Sequence, residues 1–274
     1  MMRRLAGGTL VFAAAFVALA FLVLPVLAIF ARVSPGRLAA QLSKPIVTDA
    51  LRISLETTGI AQVLILLLGT PAAYLLASRR FRGRGVVVTL VELPLVLPPA
   101  VAGIGLIAAF GRFGLLGGTL SALGIRLGLT QAAVVLAVAF VASPLYLRQA
   151  ITAFEAVDPD VVAAARTLGA GPGRTFFRVV LPLARNGLAA GEALAFARGL
   201  GEFGATIMFA GSLQGVTQTL PLAIYQEFAV NFDATLAMSA LLVLVSAALL
   251  VALKVTLQWQ PSQRTSRFLF APSS

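Results

Sequence analysis

The chain has 274 residues, of which 59% are hydrophobic and 11% charged, with a net charge of +11 and a mean hydropathy of +0.97. Soluble domains carry roughly a quarter charged residues, so this composition excludes a disordered chain and a soluble globular enzyme and points to a membrane protein. Cysteine and histidine are absent, which removes disulfides, thiolate metal sites, a cysteine nucleophile and the commonest general base.

Six apolar stretches follow one another, at about residues 9–30, 53–77, 86–110, 131–147, 187–209 and 234–253. Each is near the ~20 helical residues that cross a ~30 Å hydrocarbon core, where helices satisfy their own backbone groups. The expectation is an all-α polytopic membrane protein with about six transmembrane helices. The first stretch is long for a signal-peptide core and Pro25 interrupts its end, so it reads as a retained anchor. The tripeptide Leu-Pro-Leu recurs at 93–95, 181–183 and 220–222, but at unequal spacing, so it is not a repeat.

The third stretch carries Pro94, Pro98 and Pro99, closely followed by Gly103 and Gly105. Each proline removes a backbone donor, and an uninterrupted helix is not expected. Two readings stay open: a kink for packing, or a broken helix lining a cavity. The fifth stretch contains Glu192, Arg198 and Glu202. A charge at the centre of a membrane helix costs at least ~2.5 kcal/mol, so such groups are usually paired and functional. Arg198 and Glu202 are four apart and share a helix face. They read either as a neutralised lock between helices or as a gate. Gly199, Gly201 and Gly204 around them allow close helix approach.

The cationic residues give an orientation. With the N-terminus in the cytoplasm and strict alternation, fourteen fall on the cytoplasmic side: Arg3, Arg4, Arg79, Arg80, Arg82, Arg84, Arg148, Arg166, Arg174, Arg178, Arg185, Lys254, Arg264 and Arg267. Six fall outside: Arg32, Arg37, Lys44, Arg52, Arg112 and Arg126. This bias places both termini in the cytoplasm and explains the basic charge without a nucleic-acid partner. Neither of the two lysines, Lys44 and Lys254, follows a glycine, so the phosphate-loop pattern is missing and any ATP is bound by another chain.

The long cytoplasmic loop, 148–185, has helical signals of its own. Asp158-Pro159 fits an N-cap followed by proline at the first helical position. A short Ala-rich helix over 161–168 is ended by Gly169, and Gly171-Pro172-Gly173 makes a turn. A second short helix is expected over 174–181, stopped by Pro182. Ala163, Ala164, Ala165 and Leu168 present a low-relief apolar surface, suited either to a groove on a partner or to packing on the chain's own membrane domain.

These residues carry a resemblance. Membrane subunits of ATP-binding-cassette (ABC) importers share E-A-A-x-x-x-G, nine further residues, and I-x-L-P. Here Ala163-Ala164-Ala165 and Gly169 are followed, at the same spacing, by Val179-Val180-Leu181-Pro182. Ala163 departs from the family's Glu. The segments 166–170, 194–198, 201–207, 218–221, 93–99 and 111–114 resemble molybdate importer permeases, and the likeness covers about residues 50–255. Sulfate permeases are close relatives that share a Gly-Glu-Phe/Tyr-Gly segment like Gly201-Glu202-Phe203-Gly204. The continuation Ala205-Thr206-Ile207-Met208-Phe209 is more similar to the molybdate branch.

The resemblance implies the type I (MetI-like) ABC importer permease fold in the bacterial inner membrane. It implies an N-terminal helix and external loop over 1–50, a permease core over 51–256 with a coupling loop at 148–186, and a cytoplasmic tail at 257–274. It implies a second permease chain, usually an identical copy, two ATPase subunits that hold ATP and Mg, and a periplasmic or extracellular molybdate-binding protein. No cofactor, metal or catalytic residue is expected in this chain. Coupling to the ATPase falls to Ala163, Ala164, Ala165, Leu168, Gly169, Ala170, Leu181 and Pro182. A desolvated dianion is far too costly in hydrocarbon, so its path must be polar and open to one side at a time. The candidates for path or gate are Pro98, Pro99, Arg198, Glu202, Gly204, Thr206 and Ser212, with Thr217 a further donor.

Three alternatives have discriminating observations. A sulfate or thiosulfate permease would show uptake blocked by sulfate. An ion-coupled secondary transporter would use Glu92, Glu192 or Glu202 and need no ATPase. A membrane enzyme would need a Ser–Lys or carboxylate pair, and no such spacing is evident.

Overall fold

The computed structural model describes residues 2–258, without the side chains of residues 2–10, 37, 253, 254 and 256–258. The expected tail beyond 258 lies outside the described residues, as do the side chains of Arg3, Arg4, Lys254, Arg264 and Arg267.

The helices are α1 (Met2–Arg32), α2 (Pro35–Leu42), α3 (Pro45–Ser78), α4 (Arg84–Val96), α5 (Pro99–Phe110), α6 (Gly117–Ala122) and α7 (Gln131–Glu155). There follow α8 (Pro159–Thr167), α9 (Pro172–Thr175), α10 (Leu181–Leu200), α11 (Gly204–Ala210), α12 (Leu220–Glu227) and α13 (Phe232–Gln258). Among the described residues no strand occurs.

Among the described residues four helices are long and apolar enough to cross a membrane: α1, α3, α7 and α13. The pair α4 and α5 makes a fifth span if taken as one, and it is bent by 117° at the break. The cause lies in the sequence: Leu97 and Pro98 are extended, and Pro99 opens the new helix as its first residue. The third apolar stretch is therefore a broken helix. The fifth, 187–209, is divided between α10 and α11, because residues 201–203 leave the helix. α10 carries Arg185, Glu192 and Arg198 and lacks the composition of the other spans.

Other boundaries also move. α3 begins at Pro45, in the region expected as external loop, and spans about 51 Å at 1.5 Å per residue. α7 continues past Leu147 to Glu155. Its added turns carry polar groups that find partners off the helix: Arg148 pairs with Glu92 at 3.6 Å, and Glu155 with Arg84.

α7 is the central post. One face packs on α3 and α10 through Ile65, Ala73, Ala142, Tyr146, Ala150, Ala184, Leu188 and Ala195. Another face packs on α5 and α11 through Ala102, Leu106, Ala133, Ala137, Ala205 and Phe209. In lipid no hydrophobic force draws helices together, so small residues that let backbones approach do this work. Gly187, Gly191, Ala195 and Gly199 recur every fourth residue on α10. A Cβ at Gly187 would lie 2.5 Å from the Ala153 side chain, and one at Gly199 would lie 2.9 Å from that of Val138. Tyr146 is fully buried in this contact, and its hydroxyl is satisfied by Thr70 Oγ1 at 2.6 Å. By contrast α1 exposes Phe12, Phe16 and Phe21 along its length, as a helix solvated by lipid tails does.

Candidate functional site

Two places bring the expected residues together. The first is the 148–186 loop, expected on the cytoplasmic side. α8 starts as its sequence dictates: Pro159 is its first residue, and Asp158 Oδ1 accepts from the Asp160 amide at 2.8 Å. It ends at Gly169, whose φ is +84°. The Gly169 amide donates to the Arg166 carbonyl and the Ala170 amide to the Ala165 carbonyl, both at 3.0 Å. This is the two-bond Schellman cap, and its left-handed position suits glycine because no Cβ is present. Thr175 then ties the turn: its buried hydroxyl donates to the Gly171 carbonyl at 3.1 Å.

The faces of α8 are distinct. Ala164, Thr167 and Leu168 point to solvent, Leu168 with 88% of its surface exposed. Val162 packs toward the core. Ala163 is exposed but lines a cavity between α8 and the ends of α3 and α7. Ala165 and Ala170 are half-buried, and Leu181 packs on the α3–α7–α10 core.

The second short helix departs from expectation. Pro182 does not stop it. Residues 172–200 are helical throughout, through α9, a π-helical turn at Phe176–Val180, and α10. In that turn the Leu181 amide donates to Phe176 O, five residues back. A proline inside a regular helix meets the carbonyl four residues earlier, and the wider turn relieves that clash. Pro182 is the second residue of α10, directly after the π-helical turn.

The second place is inside the membrane domain, where α11 crosses α5. A Cβ at Gly204 would lie 2.6 Å from Pro99 Cβ, and one at Gly103 would lie 2.6 Å from Met208 Cβ and 2.8 Å from Ala205 O. The broken helix at Pro98-Pro99 and the segment 201–206 are therefore one contact. Arg198 Nη1 lies 2.7 Å from Glu202 Oε2, and the Glu202 side chain is 1% exposed against 34% for Arg198. Glu202 Oε1 also accepts from the Ala205 amide at 2.7 Å, capping the first turn of α11. One carboxylate thus neutralises the arginine and holds the break between α10 and α11.

This assigns Glu202 two separable tasks. Glu202→Ala removes both, and an expected loss of about 1–3 kcal/mol follows from a buried amide left without an acceptor. Glu202→Gln keeps an acceptor and is expected to cost less than half as much. Thermal unfolding in detergent measures both. Equal losses would place the effect in the charge pair and remove the capping argument.

Thr206 is fully buried on α11. Among the described residues neither its hydroxyl nor that of Ser212 has a hydrogen-bond partner. Thr217 Oγ1 accepts from the Leu213 amide at 2.9 Å. Sequence reasoning missed the polar residues of α3: Ser54, Thr57, Thr58 and Gln62 are all buried. Ser54 Oγ accepts from the Leu220 amide at 2.7 Å. Gln62 Nε2 lies 3.2 Å from where a Cβ of Gly199 would stand, and neither polar atom of Gln62 has a partner among the described residues. The signal was the four-residue spacing of 54, 58 and 62 within a stretch read only for its apolarity. Of the three carboxylates considered for ion coupling, Glu92 and Glu202 are ion-paired and Glu192 has a buried oxygen without a hydrogen bond.

Known proteins share this fold. A solved bacterial ABC transporter for alginate import matches with a TM-score of 0.72 at 14% identity, covering 93% of this chain and 97% of that one. The MetNI methionine ABC transporter matches with a TM-score of 0.62 at 20% identity, over 78% of this chain and 95% of that one. These likenesses establish the fold. In sequence, the molybdenum transport system permease protein ModB of Mycobacterium tuberculosis is 46% identical over 237 residues, 86% of this chain and 90% of that protein. The ModB of Escherichia coli K12 is 42% identical over 178 residues, 65% of this chain and 78% of that protein. Residues 66–260 match the family described as "Binding-protein-dependent transport system inner membrane component". That span takes in both the α5–α11 crossing and the α8 loop, and the chain belongs to this family of multi-pass transport permeases.

Proposed function

We propose that this chain is the permease subunit of an ATP-driven importer of molybdate, with tungstate as a close second substrate, in the bacterial inner membrane. The observation that carries the substrate is the 46% identity to a ModB across nine-tenths of that protein's length. The chain crosses six times, with α10 and α11 completing the count, and keeps both termini in the cytoplasm. It pairs with an identical copy. Two ATPase subunits, which hold ATP and Mg, dock beneath, and a binding protein delivers the ion from outside. A related solved transporter, for alginate, is in complex with its periplasmic protein.

In this reading α8 is the coupling element. Its exposed end, Ala164, Thr167 and Leu168, seats in a groove of the ATPase, and the continuous helix from Pro172 to Leu200 carries the motion into the membrane. The chain's ion path needs uncharged donors that hold a dianion weakly enough to release it. Thr206, Ser212 and Gln62 supply such groups, and they are covered in the present conformation. They reach the ion only when the contact of Pro98-Pro99 with Gly204 opens. Arg198, neutralised by Glu202, holds the gate rather than the ion.

The test is ATP-dependent uptake of labelled molybdate into vesicles containing this chain, its ATPase and the binding protein. Uptake blocked by excess tungstate and not by sulfate supports the proposal. Uptake blocked by sulfate moves the chain to the sulfate branch. Accumulation driven by an ion gradient without ATP overturns it.

A further inference from the structure

The cavity beside α8 has a volume of about 760 Å³, and its charged lining is Arg80, Arg84, Arg166 and Glu155. Arg84 is already committed. Its Nε donates to the Leu76 carbonyl at 2.6 Å, and its Nη2 pairs with Glu155. Arg80 and Arg166 have no acidic partner among the described residues, so the lining carries two uncompensated positive charges. The floor is different in kind: Tyr74 and Phe154 meet edge to face there, with ring centroids 5.5 Å apart. Ala163, the small residue of α8 at this wall, adds only a methyl group to the lining.

The cavity stands where α3 ends at Ser78 and the chain turns through Arg79-Arg80-Phe81-Arg82 into α4. The apolar run of α3 gives way to arginines here, with Arg80 and Arg166 exposed and the rings of Tyr74 and Phe154 more buried. Basic pockets between spans at the membrane boundary suit anionic lipid headgroups, and guanidinium groups match phosphate oxygens in a fork geometry. A free oxyanion would satisfy the rim but not the aromatic floor. A lipid satisfies both.

We propose that this cavity binds the phosphate of an anionic phospholipid headgroup between Arg80 and Arg166, beside the α8 loop. The lipid then bridges α8 to the membrane domain from the side opposite Leu168. This inference does not depend on the transported ion. It ties the position of α8 to membrane composition.

The test is native mass spectrometry of the full chain in detergent, titrated with phosphatidylglycerol, with phosphatidylcholine, and with phosphatidylglycerol in millimolar inorganic phosphate. Phosphatidylglycerol is expected to be retained at lower concentration than phosphatidylcholine. Each arginine is worth about fivefold at a membrane surface, so Arg80→Gln with Arg166→Gln is expected to weaken retention about 25-fold. Ala163→Glu places a carboxylate in the same space and is expected to weaken it without removing either arginine, which guards against a folding defect in the double variant. Displacement by inorganic phosphate at equal occupancy would make the site one for a free anion and overturn the lipid. Retention unchanged in both variants overturns the proposal, whether or not ATPase association weakens in them; weakened association alone would assign the arginines to an acidic protein partner.

Discussion

Gly169→Val is expected to reduce ATP-driven uptake about tenfold while leaving the membrane domain folded. The φ of +84° at Gly169 lies in the left-handed region, and a β-branched residue is a strained occupant of it. The strain is on the order of 1–2 kcal/mol, which lowers the population of the capped loop roughly five- to thirtyfold. Nothing lies within 4 Å of a Cβ built at this position, so the penalty is backbone strain and not a collision. The loss follows from what the cap holds: the Ala170–Ala165 and Gly169–Arg166 bonds fix where Leu168 stands at the end of α8. Gly169→Asn is expected to retain more uptake than Gly169→Val, because asparagine visits the left-handed region. The measurement is uptake alongside co-purification with the ATPase and a thermal unfolding midpoint. Normal uptake and normal ATPase association in the valine variant would separate α8 from coupling altogether.

What was legible in the sequence was what depends on local rules. The Asp158-Pro159 start, the Gly169 stop and the break at Pro98-Pro99 each follow from one residue's backbone chemistry, and the structure has all three. The Arg198–Glu202 pair was expected on one helix face, but α10 ends at Leu200, and the pair forms across the break that follows. The features that stayed hidden depend on tertiary partners. Pro182 read as a stop, yet its place in the first turn after a π-helical segment is set by the packing of Phe176, Val180 and Leu181 on α3 and α7. The four-residue polar spacing on α3 was masked by the apolar residues between, because a long span buries one face and gives the other to lipid. The second role of Glu202, capping α11, needed the knowledge that a helix ends at Leu200 and another begins at Gly204. The inner face of Ala163 needed the arginines of a distant loop to be brought beside it.

The α5–α11 crossing makes the other large prediction, because it rests on backbone contact. Gly103 sits where any Cβ would be 2.6 Å from Met208 Cβ, 2.8 Å from Ala205 O and 3.0 Å from Ala205 Cα. Two of those atoms are backbone and the third is the stem of a side chain, so no rotamer change relieves them. Gly103→Val must push α5 away from α11, at an expected cost of about 1–3 kcal/mol or more. Gly105 provides the internal comparison. It lies on the same helix, two residues on, with nothing within 4 Å of a built Cβ, and Gly105→Val is expected to leave the unfolding midpoint of the detergent-solubilised chain nearly unchanged. Uptake should separate the two in the same way, with Gly103→Val losing most of it, because the displaced α5 also loses the contact of Pro99 with Gly204. In the proposed function that contact closes the path in the present conformation. The Gly103→Val variant is then expected to leak: vesicles containing it should release preloaded molybdate without ATP faster than vesicles with the unaltered chain. Equal midpoints for the two valine variants would mean that α5 and α11 are not packed backbone to backbone. A lowered midpoint with no leak would keep the packing and take the gate away from this crossing.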